Sequence, residues 1–202
     1  MLVELLMNFV LQIIGSIGYL GIFLLMLAES TVLPVPSELV LPFAGYLVSS
    51  GQLDLILTIL SATLGTIVGA LISYYIGKFV GRAFVERYGK YVLLNTHDLE
   101  LAHKWFEKHG DKIIFICRFI PAVRHVISIP AGTAEMKRRK FITYTALGGL
   151  IWNSFLVWVG MLLQKNWNEV VKYTEGADLV IIAIVVVAII GFLVYKYKKG
   201  KR

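Results

Sequence analysis

The chain has a single cysteine, Cys117, among its 202 residues. That excludes an internal disulfide and any cysteine-based metal site. Basic residues are missing from the first third: none occurs before Lys78, and all 20 lie between Lys78 and Arg202. Proline is confined as tightly, with all five residues inside two apolar stretches. Charge is sparse, at 16% of residues against 57% hydrophobic, and the mean hydropathy is +0.74. A soluble domain of this length has no use for so much apolar surface. The composition therefore predicts an all-α integral membrane protein, with residues 1–202 forming one membrane domain.

A net charge of +7 would suggest nucleic acid for a soluble protein. Its distribution argues against nucleic acid. Thirteen basic residues fall between Lys78 and Lys140, two between Lys165 and Lys172, and five from Lys196 onward. This is the cytoplasmic excess of the positive-inside pattern, and it attracts anionic headgroups of the lipid bilayer. Residues 2–14 lack a basic n-region and a small-residue cleavage site, so no removable signal peptide is expected.

What is present gives a topology. Residues 2–14 read as an amphipathic helix with Glu4, Asn8 and Gln12 on one face. Residues 17–28 and 39–49 are apolar arms too short to cross a bilayer, which suits a re-entrant hairpin. The loop 50–54 carries no positive charge and belongs outside. Residues 55–79 can span, and Ser61, Gly65, Gly69, Ser73, Gly77 and Gly81 repeat every four residues, the pattern of a close helix crossing. Residues 82–110 read as a cytoplasmic surface segment. Residues 113–132 are flanked by Lys112 and by Lys137–Lys140, so both ends belong inside and the segment turns back as a second hairpin. Residues 141–163 span outward, and 179–195 span back as a C-terminal transmembrane helix. The basic tail 196–202 is then cytoplasmic. Pro34 precedes Gly45 by eleven residues, and Pro121 precedes Gly132 by eleven. Two re-entrant helical hairpins, each followed by a transmembrane helix, form an inverted repeat of the kind found in secondary transporters.

The same two proline-rich stretches carry Glu29, Glu38, Arg118 and Arg124. Each such charge at the bilayer centre costs roughly 2.5–3.5 kcal/mol on insertion scales. Four left unpaired would cost on the order of 10 kcal/mol, comparable to a protein's whole stability. The hairpin tips are therefore expected to meet, with Glu29 and Glu38 near Arg118 and Arg124. Plainer readings are fixed ion pairs that hold the hairpins together, or shallow hairpins with solvated charges. The functional reading is a phosphate site: two guanidiniums flanking a proline break suit a phosphate headgroup. Carboxylates in low-dielectric surroundings hold protons more tightly, which makes Glu29 and Glu38 candidates for proton coupling or counter-ions. His125, Trp152 and Asn153 are candidates to line the cavity, with packing the simpler role for each. His97, His103 and His109 recur every six residues and share no helix face, so neither a metal site nor a cofactor is expected.

These residues resemble the DedA family of membrane proteins, also called SNARE-associated or VTT-domain proteins. The matching pieces are Glu29 with Pro34-Val-Pro36-Ser-Glu38 and Ala44-Gly45, and the glycine stripe with Tyr74 or Tyr75. Further along they are Arg118-Phe-Ile-Pro121-Ala-Val-Arg124, Ala131-Gly132 with Met136 and Phe141, and Gly149 with Trp152. The resemblance covers about residues 15–165. It implies a multi-pass protein of the bacterial cytoplasmic membrane that flips undecaprenyl phosphate, the lipid carrier of cell-wall synthesis, back to the inner leaflet. By similarity, the embedded acids match Glu29 and Glu38 and the essential arginines match Arg118 and Arg124.

The expected function is thus a membrane transporter for an anionic lipid rather than an enzyme, with proton-driven and passive movement both left open. A proton-coupled ion antiporter and a general phospholipid scramblase are the alternatives, and a homo-oligomer is left open. A lipid pyrophosphate phosphatase is a more distant one. Leu33-Pro-Val-Pro-Ser37 is faintly similar to one motif of such enzymes, but no nucleophile or general base is evident.

Overall fold

The computed structural model describes residues 2–31, 36–92, 112–120, 123–124 and 127–163, with the side chains of 2–8 and 80–92 left aside. The described residues are helical, without strands. Helix α1 (Leu2–Thr31) breaks at Gly18, whose φ of 55° lies in the left-handed region. The apolar arm Tyr19–Thr31 follows the break. Its thirteen residues reach about 20 Å, short of a hydrocarbon core of about 30 Å. Helix α2 (Ser37–Ser49) has the same length and contains Pro42. The two arms run antiparallel. At one end the Ser37 amide donates to Glu29 Oε1, and at the other the Asp54 amide donates to the Tyr19 hydroxyl.

A Cβ at residue 18 would have to accept left-handed backbone, which costs about 1–2 kcal/mol for most residues. Gly18→Ala is accordingly expected to lower the thermal midpoint of the detergent-solubilised protein. Gly15→Ala, with nothing within 4 Å of its added methyl, should not. Equal midpoints for the two variants would show that the bend does not depend on residue 18.

Helix α3 (Leu55–Val92) starts at Asp54, whose Oδ1 accepts the Leu57 amide at 2.9 Å. That is an N-cap bond. Its apolar part, Leu55–Phe79, is long enough to cross a membrane. The helix then runs on to Val92, past the point where hydropathy ends the span. Two short helices, α4 (Ile113–Cys117) and α5 (Ser128–Thr133), lie at the two ends of the second proline-containing stretch. Helix α6 (Arg138–Leu163) is the second long apolar helix. The expected surface helix within 82–110 beyond Val92, the C-terminal span 179–195, Pro34, Pro121, His125 and the three spaced histidines lie outside the described residues.

Glycines make the crossings. Gly65 and Gly69 of α3 lie beneath the carbonyls of Phe23 and Leu27 in α1, and the Ser73 hydroxyl donates to the Ser30 carbonyl at 3.0 Å. Further along α3, Gly77 faces the Ile129 carbonyl, while Gly132 of α5 faces the Tyr74 carbonyl. The crossing of α2 on α6 has the same form: Gly160 faces the Pro42 carbonyl, and Gly45 faces the Val157 carbonyl. The small-residue stripe therefore serves two neighbours: Gly65, Gly69 and Ser73 meet α1, and Gly77 meets α5. Tyr74 locks the turn before α6 by donating to the Met136 carbonyl at 2.6 Å and packing on Phe141.

The distribution of polarity is inverted relative to a water-soluble fold. Ile56, Leu60, Leu64, Val68, Ile72 and Ile76 project from α3 in steps of four and are exposed, as are Leu147, Ile151, Phe155, Trp158 and Leu162 of α6. Inside, two apolar cores are separated along both helices. One includes Ala62, Leu156 and Val157, and the other Ala70, Tyr74 and Phe141. Between them lie Thr66 on α3 and Thr145, Gly149 and Asn153 on α6, all buried. A polar layer thus sits near the middle of both long apolar helices.

Candidate functional site

Each residue of that layer is delivered by a helix end or a crossing. Glu29 stands in the last turn of α1, Ser37 opens α2, Arg118 follows α4, and Ser128 opens α5. The breaks in the helical ladder let these side chains converge from four directions. Glu29, Arg118 and Arg124 are 2%, 4% and 6% exposed, so all three charges are removed from solvent. The Arg124 guanidinium donates through Nη2 to Glu29 Oε1, forming a buried ion pair, and to the Ser37 hydroxyl at 2.7 Å. The same carboxylate oxygen accepts the Ser37 amide at 3.0 Å. Ser37 therefore ties both members of the pair to the first turn of α2. The Trp152 ring lies 5.4 Å from the Arg124 guanidinium carbon, within cation–π range.

Arg118 has no carboxylate among the described residues. Its Nη1 donates to the Arg124 carbonyl at 3.3 Å, and its Nη2 to the hydroxyls of Ser128 at 3.3 Å and Thr145 at 3.1 Å. Gly148 admits the Arg118 stem, whose Cβ and Cγ lie where a side chain would otherwise stand. Asn153 Nδ2 donates to Thr63 and Thr66, both at 3.4 Å. Among the described residues, two buried guanidiniums and one buried carboxylate leave the layer with an excess of one positive charge. Among the described residues, three buried side-chain atoms have no hydrogen-bond partner: Glu29 Oε2, Arg118 Nε and Trp152 Nε1. A small cavity lined by Ser30, Thr66, Arg118, Arg124, Gly149, Trp152 and Asn153 opens beside them.

Of the six described residues singled out in the sequence, five thus share one site: Glu29, Arg118, Arg124, Trp152 and Asn153. Glu38 does not join them. It is exposed in the first turn of α2 and makes no ion pair with either arginine. Consecutive helical residues point about 100° apart, so Ser37 and Glu38 cannot both face the cluster. Ser37 takes that place. The hydroxyls of Ser37, Ser128 and Thr145 escape a reading of the sequence because serine and threonine are common in apolar helices, where they bond their own backbone. Their signal is weak: each lies within about one turn of a proline or glycine.

These features define a class: an all-helical membrane protein with a charged layer buried at the middle of its apolar helices. A family profile for the VTT domain matches residues 35–162, and the chain belongs to this family, the DedA family. Among its relatives, undecaprenyl phosphate transporter A of Bacillus subtilis is 37% identical, over 89% of this chain and 90% of the relative. The protein of the same name in Staphylococcus aureus is 33% identical, over 95% and 96%. A Lactococcus lactis relative, named an alkaline phosphatase-like protein, is 38% identical over 94% and 92%. No solved structure matches the chain.

Proposed function

We propose that this protein carries a polyprenyl monophosphate, undecaprenyl phosphate or a close analogue, across the bacterial cytoplasmic membrane. In this reading Arg118 and Arg124 receive the phosphate. The observation that carries it is the charge imbalance: among the described residues two buried guanidiniums stand beside one carboxylate, which pairs with Arg124 and leaves Arg118 without a counter-ion. An anionic headgroup would neutralise the excess charge, and planar guanidinium forks suit phosphate oxygens. Glu29 occupies Arg124 in the present arrangement and so acts as a built-in competitor. Protonation of Glu29 would weaken its hold on Arg124 and free the guanidinium for phosphate; loss of that proton would expel the headgroup. Transport would thereby be coupled to protons. The names of the Bacillus and Staphylococcus relatives support the substrate class.

The two glycine crossings support the inverted-repeat reading of the fold. Each hairpin offers a backbone carbonyl and, three residues later, a glycine: Pro42 with Gly45, and Ile129 with Gly132. Each receiving helix offers a glycine and, three residues earlier, a carbonyl: Gly160 with Val157, and Gly77 with Tyr74. Matched crossings of this kind suit two hairpins that rock against the long helices in alternation.

Inward movement of labelled undecaprenyl phosphate in proteoliposomes tests the proposal. Arg124→Lys keeps the charge that pairs with Glu29 but loses the fork. It is expected to fold and to slow transport at least about tenfold, the scale of one charge-assisted hydrogen bond. Transport at the parent rate would remove Arg124 from the headgroup site. The Lactococcus relative's name motivates a parallel measurement of phosphate release from undecaprenyl pyrophosphate in the same vesicles. Release that depends on Arg124 would replace transport with hydrolysis as the function.

A further inference from the structure

Among the described residues, the only buried side-chain nitrogens left without an acceptor are Arg118 Nε and Trp152 Nε1, and both residues line the same cavity. A buried donor without a partner is destabilising, because it has given up its hydration and gained no acceptor in return. Two such donors in one cavity are a standing demand for an oxygen acceptor. Resting on the phosphate-carrier reading above, we propose that Trp152 is a headgroup ligand: its indole N–H and Arg118 Nε together bind one oxygen of a lipid-borne phosphate monoester.

The indole is held for this role. Its face stacks on the Arg124 guanidinium at 5.4 Å, which fixes the ring while leaving the N–H at its edge. The cavity has room for about one water-sized group, enough for a single phosphate oxygen but not for a whole headgroup. The rest of the phosphate must take the position that Glu29 holds on Arg124. Trp152 also marks the border of the polar layer. It packs against Phe155 with ring centroids 6.0 Å apart, and Phe155 and Ile151 are each 49% exposed on the outward apolar surface of α6. A ligand bound here would have its oxygen on the indole N–H and an apolar chain directed along that surface. Free phosphate makes no use of the second half of this arrangement.

Phenylalanine separates the two functions of the ring. Trp152→Phe keeps a π-face over Arg124 and removes the donor, whereas Trp152→Leu removes both. The full chain, labelled with ¹⁵N in detergent micelles, gives an indole N–H resonance for Trp152 that Trp152→Phe identifies by its disappearance. Farnesyl phosphate, a water-soluble prenyl monophosphate, is expected to move that resonance downfield, and inorganic phosphate at equal concentration is not. Trp152→Phe should bind farnesyl phosphate about tenfold more weakly with an unchanged thermal midpoint, and Trp152→Leu should lower the midpoint as well. An indole resonance that stays fixed at saturating farnesyl phosphate, or parent affinity in Trp152→Phe, overturns the assignment. An equal shift with inorganic phosphate overturns its lipid-borne part. If Arg124→Lys impairs transport while Trp152→Phe binds normally, only the indole contact fails; parent transport in Arg124→Lys removes the carrier reading itself.

Discussion

Glu29→Ala is expected to be the most damaging single truncation in the polar layer. It leaves Arg124 and Arg118 as two buried cations with no carboxylate between them, and it strips the Ser37 amide of its acceptor. Breaking one partner of a buried pair generally costs about 3–5 kcal/mol, much of it the penalty of the charge left behind. The origin of that cost gives the prediction its test. Glu29→Gln retains an acceptor for Ser37 and Arg124 and removes only the charge, so it should lose less stability than Glu29→Ala. The double variant Glu29→Ala with Arg124→Ala removes both charges and should recover part of the thermal midpoint lost by Glu29→Ala. A double-mutant cycle isolates that coupling. On the proposed carrier function transport should not recover with it, because the headgroup would then have lost its guanidinium. Additive losses across the cycle would mean that Glu29 and Arg124 do not stabilise one another.

The location of this layer was legible in the sequence, and its chemistry only in part. Glu29, Arg118 and Arg124 announce themselves because charge is so rare in apolar stretches, and the prolines beside them mark the helix ends that carry them inward. Glu38 announced itself by the same signal and yet faces outward, while the uncharged Ser37 beside it makes two bonds in the cluster. A charge on an apolar helix says that a polar environment is near; it does not say which face turns toward it when the preceding sequence, Val32-Leu-Pro-Val35, interrupts the helical pattern. Likewise, hydropathy ended the first span at Phe79 because it registers where lysine and arginine begin. The backbone has no reason to stop there, and α3 continues to Val92. The glycine spacing gave the close packing of α3 correctly. It could not divide the stripe between α1 and α5, because the repeat of four residues is uniform and the identity of each neighbour depends on tertiary structure.

The division of that stripe leads to the other large effect. At Gly160 an added Cβ would meet the carbonyl oxygen, Cα and carbonyl carbon of Pro42; at Gly132 it would meet the Tyr74 carbonyl and the Lys78 amide nitrogen. All of these are backbone atoms, so no side-chain rotation relieves the clash and the helices themselves must separate. Ordinary overpacking costs roughly 1–3 kcal/mol, and it is relieved by shifts of side chains that are not available here. Gly160→Ala and Gly132→Ala are therefore each expected to reach or exceed the top of that range, and Gly160→Leu to prevent accumulation of folded protein. Gly15→Ala is the matched control, since its methyl meets nothing and alanine favours the helix by up to about 1 kcal/mol. Thermal midpoints in one detergent decide the matter. If Gly160→Ala and Gly132→Ala melt with Gly15→Ala, α2 and α5 do not lie on α6 and α3 at backbone contact. The convergence of Glu29, Ser37, Arg118 and Arg124 would then lose its support, because α2 and α5 reach the polar layer only by approaching α6 and α3 that closely.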